Sequence, residues 1–399
     1  MAIPRTPAFA LGNFYFWYFA FLGAYAPFWP LYLKSAGMSA AQIGTLLALV
    51  PVTRMVGPAF WGWLADHRGR RTPIVRFTAT MTAVVFIAFF QGATYAWLFA
   101  VMLAMNVFWC GSLPLVEATT MAHLAERPSG YGRIRAWGSV GFVLVVVAGG
   151  YLLDHTSVRA LLWLILGLLA VHALSAYGVP EAPQHTHHDD THGVLQILRR
   201  PEVAALFAGC FLMSVCHGPF HAFYSIWLVD HGYSKAQVGF YWALGVIAEI
   251  AVFFYWTQLA DRFDPRRLLL AAFGIAFVRF VATGWLPDWG VVMFLGQIAH
   301  AATFGVFHGA AVGLTHRFFR GRHQSKGQAL YSGIGFGAGG AAGQLIAGFL
   351  WDHAGGAWTF TAGAAAGLAA CLITYRWLDT GHERPAPACR ARRPGRPPA

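Results

Sequence analysis

Gly62-Trp63-Leu64-Ala65-Asp66-His67-Arg68-Gly69-Arg70-Arg71 separates two long apolar runs, and a weaker copy separates two others further on. The copy is Gln258-Leu259-Ala260-Asp261-Arg262-Phe263-Asp264-Pro265-Arg266-Arg267, with Ala260-Asp261 standing 195 positions after Ala65-Asp66. A carboxylate followed by arginines at the end of a helix suits a junction that bridges neighbouring helices in one state and releases them in another. Gly62, Asp66, Arg70, Arg71 and Asp261 are therefore gating-loop candidates. The plainer reading of the same arginines is that they hold a loop on one face of a membrane.

The same offset runs through the chain. Gly37 and Gly44 return as Gly232 and Gly239, and Gly132 returns as Gly327. Two halves repeated in parallel are a known way to build a membrane transporter, with the substrate site expected where the halves meet.

Composition agrees. Of 399 residues, 57% are hydrophobic and 11% charged, against about 25% charged in a soluble protein. Apolar runs of roughly 20 residues recur, each long enough to cross ~30 Å of hydrocarbon. The alternation of a barrel strand is absent, so the spans read as helices. The expected fold is an all-α membrane protein of twelve transmembrane helices in two pseudo-symmetric halves of six. Residues 1–178 form the first half, 179–202 a cytoplasmic linker, 203–378 the second half, and 379–399 a disordered basic cytoplasmic tail.

The net charge of +12 would suggest nucleic acid in a soluble domain. Here placement explains it. Of the 28 lysines and arginines, 23 fall on the linker side, Lys34, Arg159 and Lys235 on the other, and Arg54 and Arg279 within spans. That bias predicts cytoplasmic termini in a bacterial-type inner membrane and no nucleic-acid partner. The five cysteines lack zinc spacing. The histidines of His185-Thr186-His187-His188-Asp189-Asp190-Thr191-His192 sit in a polar linker, where solvation is a simpler reading than metal binding. Walker loops, triads and cofactor motifs are absent, so neither a cofactor nor an enzyme activity is expected.

Charges inside apolar segments are costly and therefore point to function. Glu117 and Arg135 flank a turn at 126–130, so that two antiparallel helices would bring them to similar depth. Arg54 and Glu249 occupy matching positions of the two halves, 195 apart, and opposite charges there suit a pair that closes in one state and parts in another. Arg279 lies in span nine. His217, His300 and His308 sit in spans seven and ten as candidates for proton transfer, although a buried histidine is as often a packing residue.

On these residues the chain resembles the major facilitator superfamily, whose loop signature is the Gly62–Arg71 pattern. Within it, the chain is similar to the 3-phenylpropionate permease family, a branch related to lactose permease. The resemblance rests on Val52-Thr53-Arg54, Tyr131 to Phe142, Cys216-His217-Gly218-Pro219, Gly245-Val246-Ile247-Ala248-Glu249, Val278-Arg279-Phe280, Gln297-Ile298-Ala299-His300 and His308. It implies proton-coupled symport of an aromatic carboxylate by a monomer in the lipid bilayer. By the likeness to lactose permease, the sugar-binding acid and base fall on Glu117 and Arg135. Phe142 replaces the tryptophan that stacks on sugar, Val246 the helix-eight glutamate, and Thr303 the glutamate after the helix-ten histidine. Arg54, Glu117, Arg135, Phe142 and Arg279 are thus the substrate-binding candidates. Glu117, Glu249, His217, His300 and His308 are the proton-coupling candidates. Sugar or nucleoside symport and drug efflux are the alternatives, with a non-transporting sensor less favoured for want of an output domain.

Overall fold

The computed structural model describes residues 7–124, 130–181 and 194–379, apart from the side chain of Arg322. The linker histidines, most of the 126–130 turn and the tail from 380 onward lie outside the described residues.

In the first half the helices are α1 (Ala8–Ser35), α2 (Ala40–Arg68), α3 (Thr72–Phe86), α4 (Tyr95–His123), α5 (Tyr131–His155) and α6 (Ala160–Tyr177). In the second half α7 covers Pro201–Asp230 and breaks at His217, where Gly218-Pro219 interrupts the helical ladder. Next come α8 (Lys235–Phe254, continued by Trp256–Arg262), α9 (Pro265–Trp285) and α10 (Gly290–Phe318).

The last helical stretch, Gln324–Trp377, has 54 residues. At about 1.5 Å per residue that is far longer than one crossing. It breaks at Gly355, whose φ of 78° and ψ of 174° leave the helical region, and the chain doubles back there. Gly343 lies against Gly218, while Gly363 lies against Cys216 and Pro219, so positions on either side of the break meet the same part of α7. The arm before Gly355 is α11 and the arm after it α12. Among the described residues, ten stretches are long and apolar enough to cross a membrane, the 54-residue one among them. With that one folded in two and the aromatic-rich α1 added, the structure is consistent with twelve crossings.

The repeat read in the sequence has a local cause. Gly37 and Gly232 have φ of 84° and 83°, a left-handed turn that glycine adopts without strain. After each turn a serine caps the next helix. Ser39 and Ser234 accept from the backbone of Gln42 and Gln237, whose side chains reach back to the cap N–H. Gly69, with φ of 66°, ends α2 inside the Gly62–Arg71 stretch.

That stretch is held within its own half. Glu181 accepts from the backbone N–H of Arg71 and Thr72 at 2.9 and 3.1 Å, capping α3, and Arg70 stands 4.0 Å away. Partial burial alone would raise the Glu181 pKa, but the two N–H donors and Arg70 outweigh it and hold the carboxyl below its usual range. A depressed pKa adds stability above the unfolded value, about 4.3, that is lost as pH falls through the folded value. Glu181→Ala is expected to cost about 1 kcal/mol at pH 7, as loss of a cap does. The difference should begin to shrink in melts below the ordinary glutamate value of about 4.3 and vanish only when pH falls below the depressed folded value.

Packing within the first half joins α1 to α5 and α6, and α3 to α4 and α6. Gly23 and Gly141 bring the α1 and α5 backbones together, a Cβ on Gly23 lying 2.6 Å from the Phe142 carbonyl. Between halves, α2 packs on α11 and α5 on α8. Gly44 meets Gly348 across the first seam, and Gly150 meets Lys235 across the second. These close approaches lie at the ends of the helices away from the linker.

Candidate functional site

A cavity of about 610 Å³ lies between the halves and is lined by both. Its wall is largely apolar and carries many rings, with Phe19, Trp109 and Phe142 from the first half and Phe220, Trp242, Phe304 and Phe336 from the second. Polar side chains from both halves break this surface, as suits a site where an apolar wall holds a small ligand and placed polar groups orient it.

On the first-half wall stand two guanidiniums. Arg54 of α2 lies over the Trp109 ring, 4.7 Å from its centroid. Arg135 of α5 lies 3.7 Å from the Phe19 centroid and 5.7 Å from that of Tyr15. Among the described residues neither has a carboxylate within 4.0 Å. Arginine tolerates this arrangement because its planar, weakly hydrated head stacks on rings. Arg54 is exposed although it lines the cavity, so solvent reaches it.

The second-half wall carries a hydrogen-bonded chain. Glu249 of α8 meets His300 Nε2 of α10 at 2.7 Å. His300 Nδ1 is 2.9 Å from Arg279 Nη1 of α9, and the same guanidinium nitrogen donates to Thr303 Oγ1 at 3.0 Å. His217 Nε2 is 3.3 Å from Thr303 Oγ1, and His217 Nδ1 is 2.9 Å from the Met213 carbonyl. Arginine has no acceptor, so His300 Nδ1 must accept from it, which leaves the imidazole proton on Nε2 facing Glu249. By the same reasoning His217 donates from Nδ1 to the carbonyl and accepts from Thr303 at Nε2. Both rings are set as neutral tautomers, and a second proton on His300 would point at the Arg279 cation.

Local irregularity positions these groups. His217 sits at the break of α7, and α10 widens into a π-helical turn at Ala301–Val306, directly after His300. Such turns recur at functional sites because they rotate side chains out of helical register. A second one, Tyr331–Gly339, places Tyr331 so that its hydroxyl lies 2.8 Å from His308 Nδ1.

The cavity thus draws together Arg54, Arg135, Phe142, His217, Glu249 and His300. Arg279 lies behind the lining and is reached through His300. Glu117 is outside the lining too: Tyr131 donates to its carboxylate at 3.3 Å, and it makes no ion pair with Arg135 within 4.0 Å. His308 also stands off the wall. Arg54 and Glu249 are parted in this state, each held within its own half. Gly62, Asp66 and Asp261 sit at helix ends on the linker side, away from the cavity. Trp109, Trp242 and Gln297 carry no separate signal in the sequence, since an aromatic on the wall and one facing lipid share the same spacing.

Two six-helix halves enclosing a solvent-reached cavity define an integral, multi-pass membrane transporter. The chain belongs to the MFS_1 like family, whose model matches residues 9–362, and it is not an enzyme. It is 32% identical over 369 residues to a probable 3-phenylpropionic acid transporter of Escherichia coli K12, covering 89% of this chain and 93% of that one. It is 27% identical to a maltose permease of Geobacillus stearothermophilus, covering 88% and 89% of the two chains. Among solved structures, the nucleoside transporter NupG superposes with a TM-score of 0.79 at 16% identity, covering 93% of this chain and 98% of that one. At that identity the likeness speaks to the fold alone.

Proposed function

We propose that the chain imports an aromatic carboxylate together with a proton by alternating access. The observation that carries the reading is a pair of guanidiniums without carboxylate partners among the described residues, on one wall of a ring-rich cavity, facing a carboxylate–imidazole pair on the other. The first wall attracts an anion and the rings take its hydrophobic body. The second holds the exchangeable proton on Glu249. The relative described as a 3-phenylpropionic acid transporter supports this substrate class over sugars. Phe142, which replaces the sugar-stacking tryptophan that the likeness to lactose permease implies, lines the cavity.

In this reading the linker and both termini are cytoplasmic, as the basic residues favour. Closure of the far end by the α2–α11 and α5–α8 seams then makes this the inward-facing state. A single chain contains the whole cavity, so it works as a monomer.

Proteoliposomes loaded at alkaline pH and diluted into acid should accumulate radiolabelled 3-phenylpropionate, and lose that accumulation when a protonophore collapses the gradient. Lactose and uridine are the competing substrates. Accumulation of either, with none of phenylpropionate, would overturn the substrate assignment.

A further inference from the structure

The end of the molecule away from the linker is fastened by two carboxylates that sit on helix N-termini of the opposite half. Asp154, near the end of α5, accepts from the backbone N–H of Lys235 and Ala236 at 2.7 and 2.9 Å. Asp352, near the end of α11, accepts from the N–H of Ala40 and Ala41 at 3.0 and 2.8 Å. Lys235 and Ala236 stand 195 positions after Ala40 and Ala41, while Asp352 and Gly348 stand 198 after Asp154 and Gly150, so the two contacts correspond across the repeat, the first with Lys235 Nζ a further 3.9 Å from Asp154. From these matched contacts we propose that Asp154 and Asp352 are a pair of latches that hold this end shut, and that their release is the step that opens it.

The first turn of a helix has N–H groups without intrahelical partners and the positive end of the macrodipole. A carboxylate that takes two of them forms charge-assisted bonds, among the stronger kinds a surface can offer. Each latch joins elements that move as parts of different halves, so both bonds of a latch break together when the halves rock apart. The freed N–H groups and carboxylate then face water. The glycines beside them set the reach. Gly150 approaches Lys235, and Gly348 approaches Ala40 with a Cβ 2.6 Å from its carbonyl. Larger residues would hold the seams apart and carry the carboxylates away from their N–H donors.

A third contact crosses the same end, Lys34 to Asp230 at 2.5 and 2.8 Å. Its side chains are 46% and 39% exposed, and an exposed ion pair adds little. It serves as the built-in control.

The latch assignment rests on the alternating-access reading, and its test needs no substrate. Spin labels on Ser157→Cys and Asp288→Cys, in a chain with its native cysteines replaced by alanine, report the separation of the two halves at this end by pulsed electron resonance. Asp154→Asn and Asp352→Asn should each raise the ratio of the long-distance to the short-distance population about five- to tenfold, and the double variant by about the product. Asp230→Asn should change it less than about threefold. Thermal melts and size-exclusion profiles confirm that each variant is folded. If the folded double variant keeps the parent's distance distribution, or if Asp230→Asn moves it as far as the latches do, the assignment is wrong. Should no tested substrate be transported while the distances shift as expected, the transport reading fails and the latches stand.

Discussion

Glu249→Gln is expected to abolish accumulation against a gradient while leaving exchange of internal for external substrate. An anion carried with one proton moves without net charge, so a gradient of one pH unit sustains about a tenfold concentration ratio. In the glutamine variant that ratio should fall to one. The amide is isosteric and its oxygen still accepts from His300 Nε2–H, so the 2.7 Å contact and the packing of α8 on α10 are preserved. What disappears is the site that changes charge. Exchange does not require the unloaded, deprotonated carrier to return, so it survives. Counterflow of labelled substrate in the same proteoliposomes measures it. Parent-level accumulation by Glu249→Gln would remove Glu249 from proton coupling. Glu117→Gln is the companion variant, since Glu117 lies outside the cavity lining and is bonded to Tyr131. Driven accumulation lost in that variant and kept in Glu249→Gln would move the proton to Glu117.

The halves, the repeat and the transmembrane character were legible because each leaves a residue-level trace. Paired glycines with positive φ, serine caps with a glutamine three residues on, and lysines and arginines concentrated on one side of the spans are all local signatures. The identity of partners was far less legible. Glu249 and Arg54 occupy equivalent positions, and equivalence suggests a pair; the carboxylate instead turns to His300 within its own half. That choice depends on the rotation of α10 before its π turn, which no spacing reveals. Glu117 and Arg135 face each other across a hairpin in depth, yet Arg135 lies on Phe19 and Glu117 on Tyr131. Depth can be counted along a helix, whereas azimuth near a break or a π turn cannot. The latches were hidden for a related reason. Asp154 and Asp352 look like ordinary polar residues at span ends until the opposite half is in place.

Arg135→Gln should raise KM for an aromatic carboxylate about 10- to 100-fold, the range expected when a charge-assisted contact of roughly 1.5–3 kcal/mol is lost. The stacked guanidinium, with no carboxylate paired to it among the described residues, is the basis for expecting so large an effect. It is held in place by Phe19 and Tyr15, so little side-chain entropy is lost when the anion arrives. Arg135→Lys should recover only part of the loss, because an ammonium supplies a point charge without the planar fork or the stacking face. The neutral amide of the same acid separates charge recognition from damage to the cavity. If Arg135 reads the carboxylate, competition by the amide is nearly unchanged in Arg135→Gln, and the parent's preference for acid over amide collapses. An equal loss for both ligands would mean that the substitution deforms the wall and that the anion is bound elsewhere. Arg54 is the other guanidinium on that wall, so the same comparison in Arg54→Gln determines whether one arginine holds the carboxylate or the two share it.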